Sequence, residues 1–241
     1  TSEEINTEYV DCNDIQVVRR LSGGGAVYHD EGNLNFSFIT KDDGESFQNF
    51  AKFTQPMVEA LKKLGVPAEL SGRNDLAANG KKISGNAMFT TKGRMFSHGT
   101  LMLNSEIENV VSALKVNKQK IESKGIKSIR SRVANIVDFM DEPIAMEEFK
   151  THILRYIFDV EDVADVPQYK LTDEDWANIH KLSEERYQKW EWNYGKSPKF
   201  NVQQSHKFDY GLVDVRLEVN KGMDPSTIEG RRFLVHHFVE K

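Results

Sequence analysis

The sequence predicts an α/β (α+β) protein with a mixed, largely antiparallel sheet that is flanked by helices. Leu34, Phe36 and Phe38 alternate with polar residues, which is the pattern of a half-buried strand. Apolar residues in the segment 47–64 recur at the spacing of one helix face. An Asn-Gly pair at 79–80 separates two further strand-like segments and is a strong signal for a tight β-hairpin.

Length and composition restrict the class of protein. The 241 residues, 29% charged and 39% hydrophobic, suit an ordinary globular chain with one large domain and a smaller second one. A net charge of −5 gives no reason to expect nucleic acid or a membrane surface as a partner. No apolar run has the roughly 20 residues of a membrane span, so we expect a cytoplasmic protein. Cys12 is the single cysteine, which excludes an internal disulfide.

The segment 17–39 contains the most distinctive local pattern, the triple glycine Gly23, Gly24 and Gly25. We expect it to be a loop between two strand-like segments, 15–18 and 34–38. Glycine tolerates positive φ and lets a ligand lie against the backbone. Arg19 and Arg20 precede the loop and could fork two donors onto a carboxylate or phosphate. The glycines alone fit an anion site and a flexible, solvated hairpin equally well.

The later part of the chain predicts three helices and a strand. Helices are expected at 105–114, after Pro143, and after Thr172, whose hydroxyl can cap a first turn. Residues 213–219 alternate in polarity, as on a strand with one wet face. An acidic stretch broken by Pro167 indicates a boundary between a domain at 1–165 and a linker with a second domain at 166–241.

Five longer motifs are RRLSGGGAVYHDEGN at 19–33, KKISGNAMF at 81–89, MFSHGTLMLN at 95–104, SIRSRVAN at 128–135 and WEWNYGKSP at 190–198. Together they resemble the lipoate–protein ligase A family, within the biotin/lipoate ligase superfamily. The resemblance covers about residues 15–222. It implies a biotin/lipoate ligase-like catalytic domain at 1–165 that lacks its leading helix and strands. Part of a small α+β accessory domain would follow at 166–241.

This resemblance implies a two-step ligase. Lipoate and MgATP would give lipoyl-AMP and pyrophosphate, and the lipoyl group would then pass to a specific lysine of an acceptor protein. The implied cofactors are ATP and Mg²⁺, with lipoate as substrate. The implied partners are the lipoyl domains of 2-oxo acid dehydrogenase complexes and the glycine-cleavage H protein, with no nucleic acid and no membrane.

Lys82 is the residue that the resemblance assigns to catalysis, and the chemistry agrees. Activating a carboxylate with ATP brings two anionic groups together, so a cation must bridge them in the transition state. Lys81 is expected to be a solvated turn residue. Asp75 is a candidate for Mg²⁺ contact, although an aspartate that opens a hairpin is also a common turn residue. His98 precedes a glycine in a strand, and we expect it in the floor of the site.

The remaining site residues are implied by the resemblance as contacts of lipoate or ATP. They are Arg19, Arg20, Ser22, Gly23, Gly24, Gly25, Ala26, Tyr28, His29, Asn33, Asn74, Gly85, Ala87, His98, Gly99, Thr100, Arg130, Ser131 and Arg132.

Two alternatives stay open at this point. One is an ATP-independent lipoyl or octanoyl transferase of the same superfamily, which would usually carry a cysteine nucleophile in the core site. Ala87 and its neighbours offer none. The other is a non-catalytic lipoyl-domain-binding paralogue, which would be expected to lack the lysine at position 82.

Overall fold

A computed structural model describes residues 2–115, 132–196, 202–208, 211–217 and 233–238. The chain divides into two compact units, Thr1–Lys189 and Trp190–Lys241. This division falls after Lys189, whereas the sequence indicated a boundary after residue 165. The catalytic and accessory roles of the two segments stay a prediction.

The first unit contains a five-stranded antiparallel sheet, which confirms the predicted fold class. Its strands lie in the spatial order β1-β5-β4-β3-β2. Their bounds are β1 Asn33–Lys41, β2 Ala68–Ser71, β3 Asp75–Ala78, β4 Lys81–Thr91 and β5 Arg94–Met102. Asn79 and Gly80 form the predicted hairpin turn between β3 and β4, and both have positive φ, as such a turn requires.

Helices cover the sheet and extend the unit. They are α1 Thr7–Cys12, α2 Phe50–Lys63, α3 Ile107–Ala113, α4 Met146–Phe158 and α5 Asp173–Leu182. Short 3-10 turns occupy Ser2–Glu4, Ile136–Phe139 and Val163–Asp165, and a π-helical turn, Ser183–Tyr187, follows α5. The predicted cap of α5 is confirmed. The Thr172 hydroxyl accepts a hydrogen bond from the Asp175 N–H, and the Asp175 carboxylate accepts one from the Thr172 N–H.

The main core lies between α2, α4 and one face of the sheet, which we call the core face. Leu61, Leu76, Ile83, Leu101 and Phe149 are fully buried there. These side chains come from both helices and from three strands of the sheet. The helix stripe predicted from periodicity is therefore a packing surface.

The predicted strand at 15–18 is absent, which corrects the expectation of a hairpin around the glycines. Residues 15–18 have no regular secondary structure, and Val18 is 60% exposed. Alternating polarity produces a strand only where a neighbouring strand can take up the backbone hydrogen bonds, and this segment pairs with none of the described strands. Only the segment after the glycines, β1, is a strand.

The turn before β1 is fastened to the chain beyond β5. The Asp30 carboxylate accepts from the N–H groups of Gly32 and Glu106. The Gly32 carbonyl accepts from the Asn104 N–H at 3.0 Å. A Cβ at Gly32 would lie 2.1 Å from the Asn104 carbonyl oxygen, so only glycine fits here. The start of β1, and the glycine loop before it, is thereby held against the sheet.

The second unit contains a three-stranded antiparallel sheet in the order β6-β7-β8. Its strands are β6 Val202–Phe208, β7 Gly211–Leu217 and β8 Phe233–Phe238, and a π-helical turn, Glu191–Gly195, precedes them. β7 confirms the strand predicted from alternation at 213–219 over residues 213–217, and residues 218–219 lie outside the described ranges. Throughout the described ranges, no helix is long and apolar enough to cross a membrane.

A stability prediction follows from the packing of Gly99 in β5. A Cβ there would lie 2.0 Å from Asn86 Oδ1 and 2.7 Å from Phe36 Cζ, so Gly99→Ala overfills the core face. We expect its free energy of unfolding to fall by about 1–3 kcal/mol, measured by urea denaturation.

Gly23→Ala is the matched control, because a Cβ there has no neighbour within 4 Å. Its free energy of unfolding should change by no more than about 1 kcal/mol. Equal stability of the two variants would contradict the packing described for Gly99.

Candidate functional site

Lys82 and Asp75 form an ion pair on the face of the sheet opposite the core face, which we call the site face. Lys82 Nζ lies 2.8 Å from Asp75 Oδ1, and both side chains are partly exposed, at 44% and 37%. Their meeting depends on a β-bulge, because Leu76 pairs with Ser84 while Ala77 pairs with Lys82, so Ile83 is an extra residue. The bulge brings Lys82 and Gly85, three positions apart, onto one face.

Gly85 has no side chain, and the Lys82 side chain occupies the space above it. A Cβ at Gly85 would lie 3.2 Å from Lys82 Nζ and 3.3 Å from its Cε. The lysine side chain therefore runs across the strand above Gly85 to reach Asp75. The Gly85 N–H also donates to Thr100 Oγ1 at 3.3 Å, which links this point to β5.

The strand register brings other predicted residues to the site face. Ala87 is paired with His98, and His98 and Thr100 alternate with core-face residues on β5. Gly99 is paired with Asn86 on the core face, so the structure does not bring Gly99 to the site.

Asn74 is joined to β4 through a reciprocal set of hydrogen bonds with Asn86. Asn74 Nδ2 donates to the Asn86 carbonyl at 2.6 Å, and Asn86 Nδ2 and N–H both donate to the Asn74 carbonyl at 3.0 Å. Asn74 thereby fixes the start of β3, where Asp75 faces Gly85. Asn86, which is buried and lies within the SGNA motif, was not among the site residues predicted from the sequence, whereas its partner Asn74 was.

The glycine loop, residues 22–26, is held by Arg20. Its guanidinium donates to Ser22 Oγ at 3.1 Å and to the carbonyls of Gly23 and Gly25 at 2.7 and 2.9 Å. Burial lowers the pKa of Arg20, and the charge of Glu4 opposes that effect. The expectation was that Arg20 faces a phosphate or carboxylate, whereas in this structure its donors are engaged by the loop itself.

Glu4, which sequence reasoning also missed, contacts the end of this loop. Glu4 Oε2 accepts from the Ala26 N–H at 2.7 Å. The two residues lie 22 positions apart, and no local pattern around Glu4 indicates the contact. The loop amide at Ala26 is therefore paired with a carboxylate.

His98 connects the glycine loop to the site face. His98 Nε2 lies 2.6 Å from Ser22 Oγ, and its ring lies 5.2 Å from that of Phe96. Burial lowers the pKa of His98, and the charges of Arg20 and His29 lower it further. A neutral imidazole beside a buried hydroxyl is suited to a polar position in the floor of the site.

The other predicted residues are spread around this arrangement. His29 Nδ1 lies 3.4 Å from Asn35 Nδ2, and Asn33 donates to Asn35 Oδ1 at 3.3 Å. Arg19 and Tyr28 are half-buried, and Gly24 has φ +103°, which favours glycine. Arg132 is exposed, and its carbonyl accepts from the Lys82 N–H at 2.7 Å. Arg130 and Ser131 lie outside the described residues.

Asp75 is a single carboxylate rather than part of a protein-built metal cage. Within the described part of the chain, no group of three or more His, Cys, Asp or Glu residues could hold a metal ion. A partly exposed carboxylate of this kind does fit the one or two protein ligands that Mg²⁺ takes when a nucleotide supplies the rest.

These features suit a site for a small anionic molecule. A lysine ammonium lies on an open sheet face, and a glycine loop is joined to the same face through Ser22 and His98. The lipoyl protein ligase A/B catalytic domain matches residues 1–158. The chain belongs to this family.

Relatives that match most of the chain support this family assignment. The chain is 67% identical over 222 residues to lipoate-protein ligase LplJ of Bacillus subtilis, covering 92% of this chain and 67% of the relative. It is 60% identical over 222 residues to lipoate–protein ligase 1 of Staphylococcus aureus, with the same coverage. The chain thus spans about two thirds of the length of these relatives.

Solved structures show the same fold. An archaeal bipartite lipoate protein ligase, studied with its E2 lipoyl domain from Thermoplasma acidophilum, has a TM-score of 0.70 and 31% identity; 83% of this chain and 79% of that chain are covered. A lipoate-protein ligase A bound with ATP has a TM-score of 0.65 and 29% identity, with 80% and 78% covered. A T. acidophilum protein with bound lipoic acid has a TM-score of 0.66, 29% identity and the same coverage.

The lowered pKa of His98 gives a pH prediction. In the ligand-free protein, the ring resonance of His98 should titrate with a midpoint below the ordinary value of 6.5, and Arg20→Gln should raise that midpoint. Below pH 6.5 the unfolded chain binds more protons than the folded one, so this histidine's contribution to stability is complete above about pH 6.5 and is lost as the pH falls from 6.5 through the lower pKa of the folded state. NMR titration measures the midpoint, and a value at or above 6.5 would contradict the environment described.

Proposed function

We propose that this chain catalyses ATP-dependent attachment of lipoate to protein lysines. Lipoate and ATP form lipoyl-AMP and pyrophosphate, and the lipoyl group is then transferred to a lysine ε-amine with release of AMP. The observation that carries the proposal is the Lys82 ammonium, held over Gly85 on the site face. The relatives named as lipoate–protein ligases support it.

In the first step a carboxylate oxygen of lipoate attacks the α-phosphorus of ATP, and the bond to pyrophosphate breaks. Negative charge is redistributed between the carboxylate and the phosphate, and the Lys82 ammonium can donate to an oxygen of each. Its resting partner is Asp75, and a half-exposed ion pair of this kind is worth only about 0–1 kcal/mol. Opening the pair to receive an anionic ligand therefore costs little.

In the second step the neutral amine of the acceptor lysine attacks the acyl carbon, AMP departs with the bonding electrons, and the proton that the amine loses passes to solvent. Charge develops on the carbonyl oxygen and on the departing phosphate. Lys82 can stabilise both because the mixed anhydride joins the same two groups that it bridged before. A single lysine on a rigid strand thus serves both half-reactions.

Asp75 is our proposed protein ligand of Mg²⁺. When bound, the ion neutralises phosphate charge, and a single carboxylate with phosphate oxygens and water suits its preferred coordination. Asp75 lies opposite Gly85 and beside Lys82, so its carboxylate is available at the same place as the lysine ammonium.

The proposed acceptors are the lipoyl domains of 2-oxo acid dehydrogenase complexes and the glycine-cleavage H protein. A related archaeal ligase has been studied with its E2 lipoyl domain, which supports acceptors of the lipoyl-domain class. Binding of lipoate and ATP is supported by the two related structures that contain lipoic acid and ATP.

Lipoate-dependent ATP–pyrophosphate exchange without an acceptor tests the proposal, because it isolates the first step. We expect the protein to catalyse the exchange and Lys82→Ala to reduce its rate by about 10²-fold or more, as for loss of a transition-state donor. Lys81→Ala is the matched control. Lys81 is exposed on the same strand and should leave the exchange rate within about twofold.

The outcome also separates the ligase from a transferase. Absence of exchange, with acyl transfer from a lipoylated donor protein retained, would replace the ligase with the ATP-independent transferase. The sole cysteine argues against that outcome, because Cys12 ends α1 and is not part of the strands that carry the site face. Normal exchange by Lys82→Ala would remove Lys82 from its proposed role.

Asp75→Asn tests the metal proposal. The amide has similar shape but no charge, so the Mg²⁺ concentration that gives half-maximal exchange should rise by about tenfold, as for loss of one charged ligand. Asp42→Asn, at an exposed residue just after β1, is the control and should leave that concentration unchanged. An unchanged Mg²⁺ requirement in Asp75→Asn would assign Asp75 to positioning Lys82 alone.

A further inference from the structure

We infer that Glu4 is a positioning residue that holds the glycine loop, residues 22–26, in its ligand-ready conformation. The inference rests on the proposed function, since the loop matters only if it receives lipoate and ATP. Its central observation is the 2.7 Å contact in which the Ala26 N–H donates to Glu4 Oε2.

The carboxylate is presented from a fixed part of the fold. The Glu4 carbonyl accepts from the Lys115 N–H at 2.7 Å, and Ile5 forms a β-bridge with Leu114. The Asn6 N–H donates to the Ala113 carbonyl at 2.9 Å. Three consecutive residues are thus fastened to the C-terminal end of α3, so Glu4 is a fixed attachment point for the loop.

Glycine at position 25 permits the close approach of this carboxylate. A Cβ there would lie 3.2 Å from Glu4 Oε1 and 3.3 Å from Oε2, tighter than ordinary contact. The same residue's carbonyl accepts from Arg20. Gly25 therefore lies between an anionic and a cationic side chain, and its lack of a side chain allows the carboxylate this close.

Glu4 and Arg20 restrain complementary parts of the loop. Arg20 engages carbonyl groups at Gly23 and Gly25, whereas Glu4 engages the amide at Ala26. Their opposite charges interact favourably across the loop. Three consecutive glycines have high conformational entropy when unrestrained, and binding would have to order them. A loop that is ordered beforehand binds its ligand at a lower concentration.

The first test uses the ligand-free protein and measures hydrogen exchange of the Ala26 amide by NMR. In Glu4→Ala its protection should fall by about tenfold, the scale of one lost charge-assisted hydrogen bond. Glu4→Gln keeps an oxygen acceptor and should retain part of the protection. Glu8→Ala, at an exposed glutamate of α1, is the control and should change nothing. Unchanged protection in Glu4→Ala would overturn the inference.

The second test measures ATP–pyrophosphate exchange with the same variants. Glu4→Ala should raise the KM for lipoate and for ATP by about tenfold with kcat within about twofold, and Glu4→Gln should be intermediate. A general loss of fold would instead lower kcat and the melting temperature. An unchanged or lower KM would overturn the inference, the lower value showing that Glu4 competes with the ligand. A wild-type protein without exchange would refute the proposed function, while the amide measurement would still decide the role of Glu4.

Discussion

The extra residue at Ile83 is the constraint on which the geometry of the site depends. In a regular strand, residues three apart point to opposite faces. The bulge adds one residue to β4 and so places Lys82 and Gly85 together on the site face, with Asp75 opposite. Ile83 itself is fully buried in the core. The bulge therefore serves both faces of the sheet, because it buries the extra side chain in the core and places the lysine on the site face.

The same strands carry the core on one face and the site on the other, and this division explains several residues that the family motifs contain. Asn86 and Gly99 form a pair on the core face, where the missing side chain of Gly99 gives room for the Asn86 amide. That amide fixes Asn74, and Asn74 precedes Asp75. The buried packing of Asn86 and Gly99 therefore sets the position of the Asp75 carboxylate. A side chain supported in this way is held more precisely than one on an unsupported loop.

The sequence predicts those features that arise from local patterns. The β3–β4 hairpin follows from Asn79 and Gly80, and the start of α5 follows from Thr172, because each depends on residues a few positions apart. The bulge and the contact between Glu4 and Ala26 depend on partners far apart in the chain, so no local pattern contains them. The strand predicted at 15–18 is wrong for the same reason. A strand needs a neighbouring strand to bind its backbone groups, and the alternation of residues 15–18 does not show whether such a neighbour exists.

The placement of charge explains why Lys82, rather than Arg20, is available to an anionic ligand. Arg20 is half-buried, donates three hydrogen bonds to its own loop and has Glu4 nearby, so withdrawing it would leave loop carbonyls without their donor. Lys82 has a half-exposed partner, and solvent makes that pair weak. The Arg20 guanidinium holds the glycine loop in its conformation. The Lys82 ammonium can leave Asp75 and pair with a phosphate or carboxylate at little cost in free energy. This difference in pairing supports Lys82, rather than Arg20, as the cation that we propose bridges the carboxylate and the phosphate.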